Sequence, residues 1–224
     1  MTDKKLEKRI YKLPNVDKKD HETWYPGRDL LNIPAPYRIG LMAPPNRGKS
    51  TLIKNILLRA DPLFNNIILI HPDPESDEYS DVRATVMNTI PSPEEWKYEG
   101  KTLCIVDDIE LKLLDKTQKS NLDRLFGYVS THKNVSCMIT SQDGYNIPPS
   151  VRRNLNVYVI WKTPDIQAVS GLIRKAGLTS EHTKKIFKRF KSNYDSFMID
   201  LTNKSPAHYR INGYEIISED FFET

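Results

Sequence analysis

The chain has 224 residues, 38% of them hydrophobic and 28% charged, and 33 Lys and Arg against 29 Asp and Glu give a formal net charge of +4. That length suits one core, or at most two small domains. The longest apolar runs, Asn66-Ile67-Ile68-Leu69-Ile70 and Leu103-Cys104-Ile105-Val106, are strand-sized and far short of a membrane span, and Met1 to Lys12 is charged with no apolar core behind it, so an intracellular protein without a membrane span is expected. Cys104 and Cys137 both fall inside apolar runs. They are too few for a disulfide scaffold or a thiolate metal site, and the expectation is two buried, reduced thiols.

Taken in chain order, residues 1–36 read as an N-terminal arm. It is rich in Lys and Asp, broken by Pro14, Pro26, Pro34 and Pro36, with Trp24 and Tyr25 as anchors. Residues 37–224 form the main domain. Strands are expected at Tyr37–Ala43, Ile67–Ile70, Thr102–Val106, Val135–Thr140, Asn156–Trp161 and Phe197–Leu201. Between them, Lys49–Arg59 presents Leu52, Ile53, Ile56 and Leu57 on one face and stops at Asp61-Pro62. Thr117–Ser130 carries Leu122, Leu125, Phe126 and Val129 at helical spacing. Thr163-Pro164-Asp165 reads as an N-cap, a first-position proline and an acidic first turn, opening a helix that Gly177 closes. A basic helix follows from Thr179 or Ser180 to about Lys191, and Tyr209–Ile217 reads as a hairpin centred on Asn212-Gly213. Alternating strands and helices predict a three-layer α/β domain with a mainly parallel sheet.

The strongest local signal is Ala43-Pro44-Pro45-Asn46-Arg47-Gly48-Lys49-Ser50-Thr51. It lies between a predicted strand and a predicted helix, the context a nucleotide phosphate loop of the GxxxxGK[ST] form requires. Amides at a helix N-terminus point at an anion, and the helix dipole favours negative charge there. Gly48 lets the backbone approach the phosphates, Lys49 would neutralise the β- and γ-phosphates, and Ser50 would offer its hydroxyl to Mg²⁺. The pattern is imperfect. Ala43 stands where the motif has Gly, which would be disfavoured if that position needs a positive φ, and Pro44 and Pro45 remove two amides. The amides from Asn46 to Thr51 remain.

The run Thr102–Val106 ends in Asp107-Asp108. An apolar strand tipped by two carboxylates suits a Mg-nucleotide site: Asp107 is assigned to the metal through its water shell, and Asp108 to orienting and deprotonating the attacking water, with Glu110 as a rival base. The next strand ends at Ser141-Gln142. The Gln142 amide has both a donor and an acceptor, which suits sensing a γ-phosphate or its water. Further on, Arg152 and Arg153 precede another strand, and guanidinium groups can stabilise spread-out phosphoryl charge. His71 and His132 have no chemistry assigned and read as structural.

In this order, the Gly48-Lys49-Ser50 loop, the Leu103–Asp108 strand, His132-Lys133-Asn134-Val135-Ser136 leading to Gln142, and Ile147-Pro148-Pro149-Ser150-Val151-Arg152-Arg153-Asn154 resemble the viral genome-packaging ATPases of the FtsK/HerA superfamily. That type is found in poxviruses, other large DNA viruses and internal-membrane phages. The likeness runs from about Tyr37 to Lys162, and His71–Tyr79 is similar to the family's loop after the second strand. It implies a RecA-like ASCE core, Mg-ATP hydrolysis, a ring of five or six subunits, and translocation of double-stranded DNA into a preformed capsid through a portal-vertex partner. It also implies an infected host cell as the location, with the virion packaging vertex as a further one. In such rings an arginine reaches the neighbour's γ-phosphate. Arg152 matches the signature arginine and Arg153 fills the variable place beside it. Asp108 departs from the Glu that many relatives of the wider class carry, which keeps Glu110 open.

Backbone DNA binding needs Lys and Arg on one face. Arg174, Lys175, Lys184, Lys185, Lys188, Arg189 and Lys191 cluster on and just before the basic helix, and the Gly144–Ser150 loop is a second candidate. Neither carries a base-reading motif, so contact is expected to be independent of sequence. The small net charge averages this basic stretch with acids at Asp107–Glu110 and at Glu219, Asp220 and Glu223. Two other readings compete: a small P-loop kinase, for which no lid segment is evident, and a non-catalytic nucleotide-binding assembly protein, which the irregular loop would suit.

Overall fold

A computed structural model of the chain describes residues 32–75, 77–202, 208–218 and 220–223. Most of the expected arm, with Trp24 and Tyr25, and Glu219 of the acidic tail lie outside the described residues.

One nine-stranded sheet organises the domain, in the order β3-β2-β4-β5-β1-β6-β7-β8-β9. The strands are β1 (Arg38–Met42), β2 (Asn66–Ile70), β3 (Thr85–Met87), β4 (Thr102–Val106), β5 (Val135–Ser141), β6 (Val157–Trp161), β7 (Ser196–Asp200), β8 (Tyr209–Ile211) and β9 (Glu215–Ile216). Every pairing from β3 across to β6 is parallel, and those from β6 to β9 are antiparallel. The central parallel strands β1, β4, β5 and β6 are covered on both faces, which is why they read as continuous apolar runs. In β4, Leu103 and Ile105 enter one core while Cys104 and Val106 enter the other.

Those two cores define the layers. On one face α1 (Lys49–Leu58) lays Ile53 and Ile56 against Ile39, Leu41, Ile105 and Val159, with Ile33, Tyr37 and Tyr79 beside it. On the other lie α2 (Lys116–Arg124), α4 (Pro149–Asn154), α5 (Ile166–Ile173) and α6 (Ser180–Arg189). The three-layer, mainly parallel α/β fold expected from the sequence is therefore present, with β5 inserted between β1 and β4. The hairpin is present too: β8 and β9 pair around Asn212 (φ 54°) and Gly213 (φ 79°), both left-handed.

Two local expectations need correction, and one strand, β3, is not among those expected. The helix expected at Thr163-Pro164 begins later: Asp165 is the N-cap, its carboxylate accepting the Ala168 amide at 2.9 Å, and α5 starts at Ile166. α5 runs on into a 3₁₀ turn over Arg174–Ala176, which left-handed Gly177 closes as expected. The stretch Thr117–Ser130 is not one regular helix. It starts as α2 at Lys116 behind an Asp115 cap, widens to a π-turn over Leu125–Val129, and ends in the short α3 (Ser130–His132). Leu122, Leu125, Phe126 and Val129 are all fully buried, as the apolar stripe requires. A π-turn inserts an extra residue per turn, which a 3.6-residue pattern does not reveal. Finally, the edge strand β3 carries only Thr-Val-Met, too short to show an alternation.

Candidate active site

The site forms at the carboxyl ends of β1, β5 and β4, where the order of the sheet sets three loops side by side. From β1, Ala43 continues the ladder, its amide donating to Ser141 O at 3.1 Å. The left-handed positions in the loop are Asn46 (φ 56°) and Gly48 (φ 91°), and Ala43 is not among them. The substitution of Ala for the motif glycine therefore carries no backbone strain, and the methyl is buried in the core beneath α1. Gly48 caps α1, its carbonyl accepting the Leu52 amide at 2.9 Å. The first-turn amides at Lys49, Ser50 and Thr51 have no intrahelical acceptor and mark the anion-attracting end of α1. No acidic residue sits in that turn. The Lys49 ammonium folds over the loop, donating to the carbonyls of Ala43 (3.2 Å) and Pro44 (3.4 Å).

At the tip of β4 the two carboxylates take different environments. Asp107 is buried at 3% exposure, and both its oxygens are held. Oδ1 accepts the Thr140 hydroxyl at 2.6 Å and Oδ2 accepts the Tyr79 phenol at 2.5 Å. Burial, reinforced by the Asp107 charge, pushes the Tyr79 phenol well above the usual tyrosine range, so it stays a donor. Asp108 is left-handed (φ 53°), its amide donates to Thr140 Oγ1 at 3.2 Å, and its carboxylate is exposed along the cleft. Asp tolerates that conformation better than most residues. Glu110, the rival base, is exposed on the following turn and does not line the cleft.

The cleft occupies about 440 Å³ and gathers Pro45, Asn46, Arg47, Gly48, Lys49, Ser50 and Thr51 with Asp107, Asp108 and Gln142. Two residues outside the expected set also line it, Glu78 and Tyr194. Glu78 accepts a hydrogen bond from the Ser50 hydroxyl. The sequence signal for Glu78 and Tyr79 is the resemblance of His71–Tyr79 to a family loop; Thr140 and Tyr194 carry none. Hydroxyl and carboxylate oxygens at Ser50, Glu78 and Asp107 are hard donors, which fit Mg²⁺. Among the described residues no group of three or more His, Cys, Asp or Glu forms a cage for a metal.

Arg152 and Arg153 lie on α4, outside the cleft of their own chain. The Arg152 guanidinium sits 5.2 Å from the centre of the Tyr145 ring, and Arg153 is exposed. Lys175, expected with the DNA-facing residues, instead caps α4: its ammonium donates to the carbonyls of Arg152 (2.8 Å) and Arg153 (2.9 Å). Burial, then the two arginine charges, lowers its pKa. On α6, Thr183, Ile186 and Phe187 face the core. Lys184 pairs with Glu181 (2.8 Å) and Arg189 with Glu215 (2.5 Å), whereas Lys188 and Lys191 are exposed with no ion pair among the described residues. Arg174 is exposed and Lys185 half-buried.

A phosphate loop, a two-carboxylate strand and an intervening strand ending in a polar residue define a P-loop NTPase fold of the ASCE arrangement. No protein-family model and no curated protein sequence matches the chain. Solved structures do. The genome packaging NTPase B204 from Sulfolobus turreted icosahedral virus 2, in complex with ATP-gammaS, matches with a TM-score of 0.59 at 19% identity, over 81% of this chain and 98% of that one. B204, the DNA-packaging ATPase from Sulfolobus turreted icosahedral virus, matches at 0.58 and 16% identity, over 79% and 97%. The pCW3 conjugation coupling protein TcpA matches at 0.54 and 14% identity, over 85% of this chain and 63% of that one. The chain thus shares its fold with these two packaging ATPases and the coupling protein, in line with the fold the sequence resemblance implied. No helix among the described residues is long and apolar enough to cross a membrane.

Proposed function

We propose that this protein is an ATPase that assembles as a ring of five or six subunits and drives double-stranded viral DNA into a preformed capsid. It would act in the infected cell at the packaging vertex, against a capsid or portal protein. The observation that carries the reading is the division of labour at the tip of β4. Asp107 is clamped by Thr140 and Tyr79, while Asp108, one residue on, is turned out beside the phosphate loop. A buried, oriented carboxylate next to an exposed one is what separate metal-holding and water-activating tasks require. The near end-to-end match to the two B204 packaging ATPases supports the motor assignment.

The chemistry follows from this chain's own groups. The amides of Gly48 to Thr51 bind the phosphates, and Lys49 exchanges its two loop carbonyls for phosphate oxygens. Mg²⁺ held near Ser50, Asp107 and Glu78 would neutralise charge on the transferred phosphoryl group. Asp108 orients and deprotonates the attacking water, and Gln142 reports on the γ-phosphate. Arg152 or Arg153 serves a neighbouring subunit, since neither reaches its own cleft. Lys188, Lys191 and Arg174 offer unspecific contacts to DNA phosphates.

The test is binding and turnover by single variants. Asp108→Asn should bind ATP with near-normal affinity and lose hydrolysis by about 10²-fold or more, the scale of a positioned base. Lys49→Ala should lose binding. ATP consumed only with a small acceptor would favour a kinase, and binding without turnover in the unmodified protein would favour an assembly module.

A further inference from the structure

The segment between α6 and β7 is pinned from every side. Asp195 Oδ2 accepts the amides of Lys191 (2.6 Å) and Ser192 (3.1 Å), and its Oδ1 accepts Asn212 Nδ2 at 3.2 Å. Ser192 Oγ accepts the Tyr194 amide at 2.8 Å, and the Tyr194 carbonyl accepts Trp161 Nε1 at 3.0 Å. Arg47, inside the phosphate loop, donates to the Asn193 carbonyl at 3.5 Å. The backbone is thereby held beside the phosphate loop, while Tyr194 as a residue is left 70% exposed. It stands against the loop glycine: a methyl placed on Gly48 would lie 3.9 Å from Tyr194 Cδ1. The ring lines the same cleft as Lys49, Ser50 and Asp108.

The geometry points to Tyr194 as the platform on which the base of the bound nucleotide stacks. The inference rests on the phosphate-loop reading of the proposed function and adds the other end of the ligand. An exposed aromatic face carried on a held backbone, beside the phosphate amides, offers a large area on which a base can stack. Stacking tolerates any base, because every base has a π-face. Purine rings, being larger, cover more of the platform than pyrimidines, and a ring face alone separates adenine from guanine poorly. The ligand class is purine nucleoside triphosphates.

The experiment measures calorimetric binding of a non-hydrolysable ATP analogue, its GTP counterpart and inorganic tripolyphosphate, all with Mg²⁺, to the full chain and three variants. Tyr194→Ala should weaken the ATP and GTP analogues by about tenfold, the effect of losing one stacked base, and leave tripolyphosphate unchanged. Tyr194→Phe should bind all three like the unmodified protein. Lys49→Ala should weaken all three; if it weakens none, the phosphate-loop reading itself fails. If Tyr194→Ala leaves the analogues unchanged, or weakens tripolyphosphate equally, stacking is overturned while the loop reading stands. A loss in Tyr194→Phe equal to that in Tyr194→Ala overturns stacking too, because the hydroxyl would then be the contact.

Discussion

Thr140 donates its hydroxyl to Asp107 Oδ1 at 2.6 Å and, with the same oxygen, accepts the Asp108 amide at 3.2 Å. One side chain on β5 therefore fixes the orientation of the buried carboxylate and the backbone that turns out the exposed one. Thr140→Val keeps the shape and removes both bonds. Partners that orient metal-holding groups commonly matter by 10–100-fold. The expected result is a loss of ATPase on about that scale, with the Mg²⁺ concentration for half-maximal rate raised and ATP-analogue affinity little changed. Thr140→Ser should recover most of the activity. Titrations of rate against Mg²⁺ for the three proteins check this.

The basic residues around α6 separate into structural and free groups. Lys175→Ala should lower stability by about 1 kcal/mol, since it leaves the carbonyls of Arg152 and Arg153 without their cap. It should leave the salt dependence of DNA binding unchanged. Replacing Lys188 and Lys191 together should weaken binding equally for all sequences. It should reduce the slope of log K against log salt by about 0.9 for each DNA phosphate that is no longer neutralised. Urea unfolding and binding isotherms at several salt concentrations distinguish the two classes.

Residue legibility tracks sequence distance. The phosphate loop, α1 and the central strands are local patterns: a Gly-Lys-Ser between an apolar run and a periodic helix, and strands buried on both faces. Asp107, Asp108 and Gln142 are legible because each sits at a strand tip. Tyr79 and Glu78 come from a single turn of 3₁₀ helix, and reach Asp107 and Ser50 only once β2 is paired beside β4. Thr140 looks like any strand threonine until β5 is inserted next to β4. Ala43 looks like a defect only if the motif demands a left-handed residue at that position. The left-handed backbone instead sits at Asn46 and Gly48. The start of α5 is ambiguous in the sequence because a local Thr-Pro-Asp offers two caps, and the amide of Ala168 selects the second, Asp165.

The buried thiols give a pH signature. Cys104 and Cys137 are free, buried and directly paired in register on β4 and β5. Burial pushes the Cys137 thiol from 9.0 up to about 12, and raises Cys104 well above 9.0 as well. The folded state thus holds these protons more tightly than the unfolded chain. Their contribution is complete below about pH 9 and is lost as pH rises from there toward about 12. Tyr158, raised from 10.0 to about 12, joins the decline only above pH 10. Stability between pH 9 and 10 should therefore fall more steeply in the unmodified protein than in a Cys104→Ala, Cys137→Ala double variant. Neither thiol should react with an alkylating reagent until the protein unfolds.

Arg152 and Arg153 differ in what they can reach. Arg152 rests over Tyr145, and Arg153 is exposed. Subunits carrying Arg152→Ala or Arg153→Ala, each inactive alone if that arginine acts in trans, should regain activity when mixed with Lys49→Ala subunits. The mixed ring restores one complete cleft between an intact loop and an intact arginine. No recovery with either variant, in rings shown by mass to be assembled, would contradict action across the subunit boundary.

The central claim is that nucleotide hydrolysis in this cleft is coupled to DNA. The most direct measurement is the steady-state ATPase rate of the assembled protein with and without double-stranded DNA of unrelated sequences. Stimulation by every duplex is expected, declining as salt rises, and abolished by Asp108→Asn. A rate unaffected by DNA in an assembled ring would contradict it.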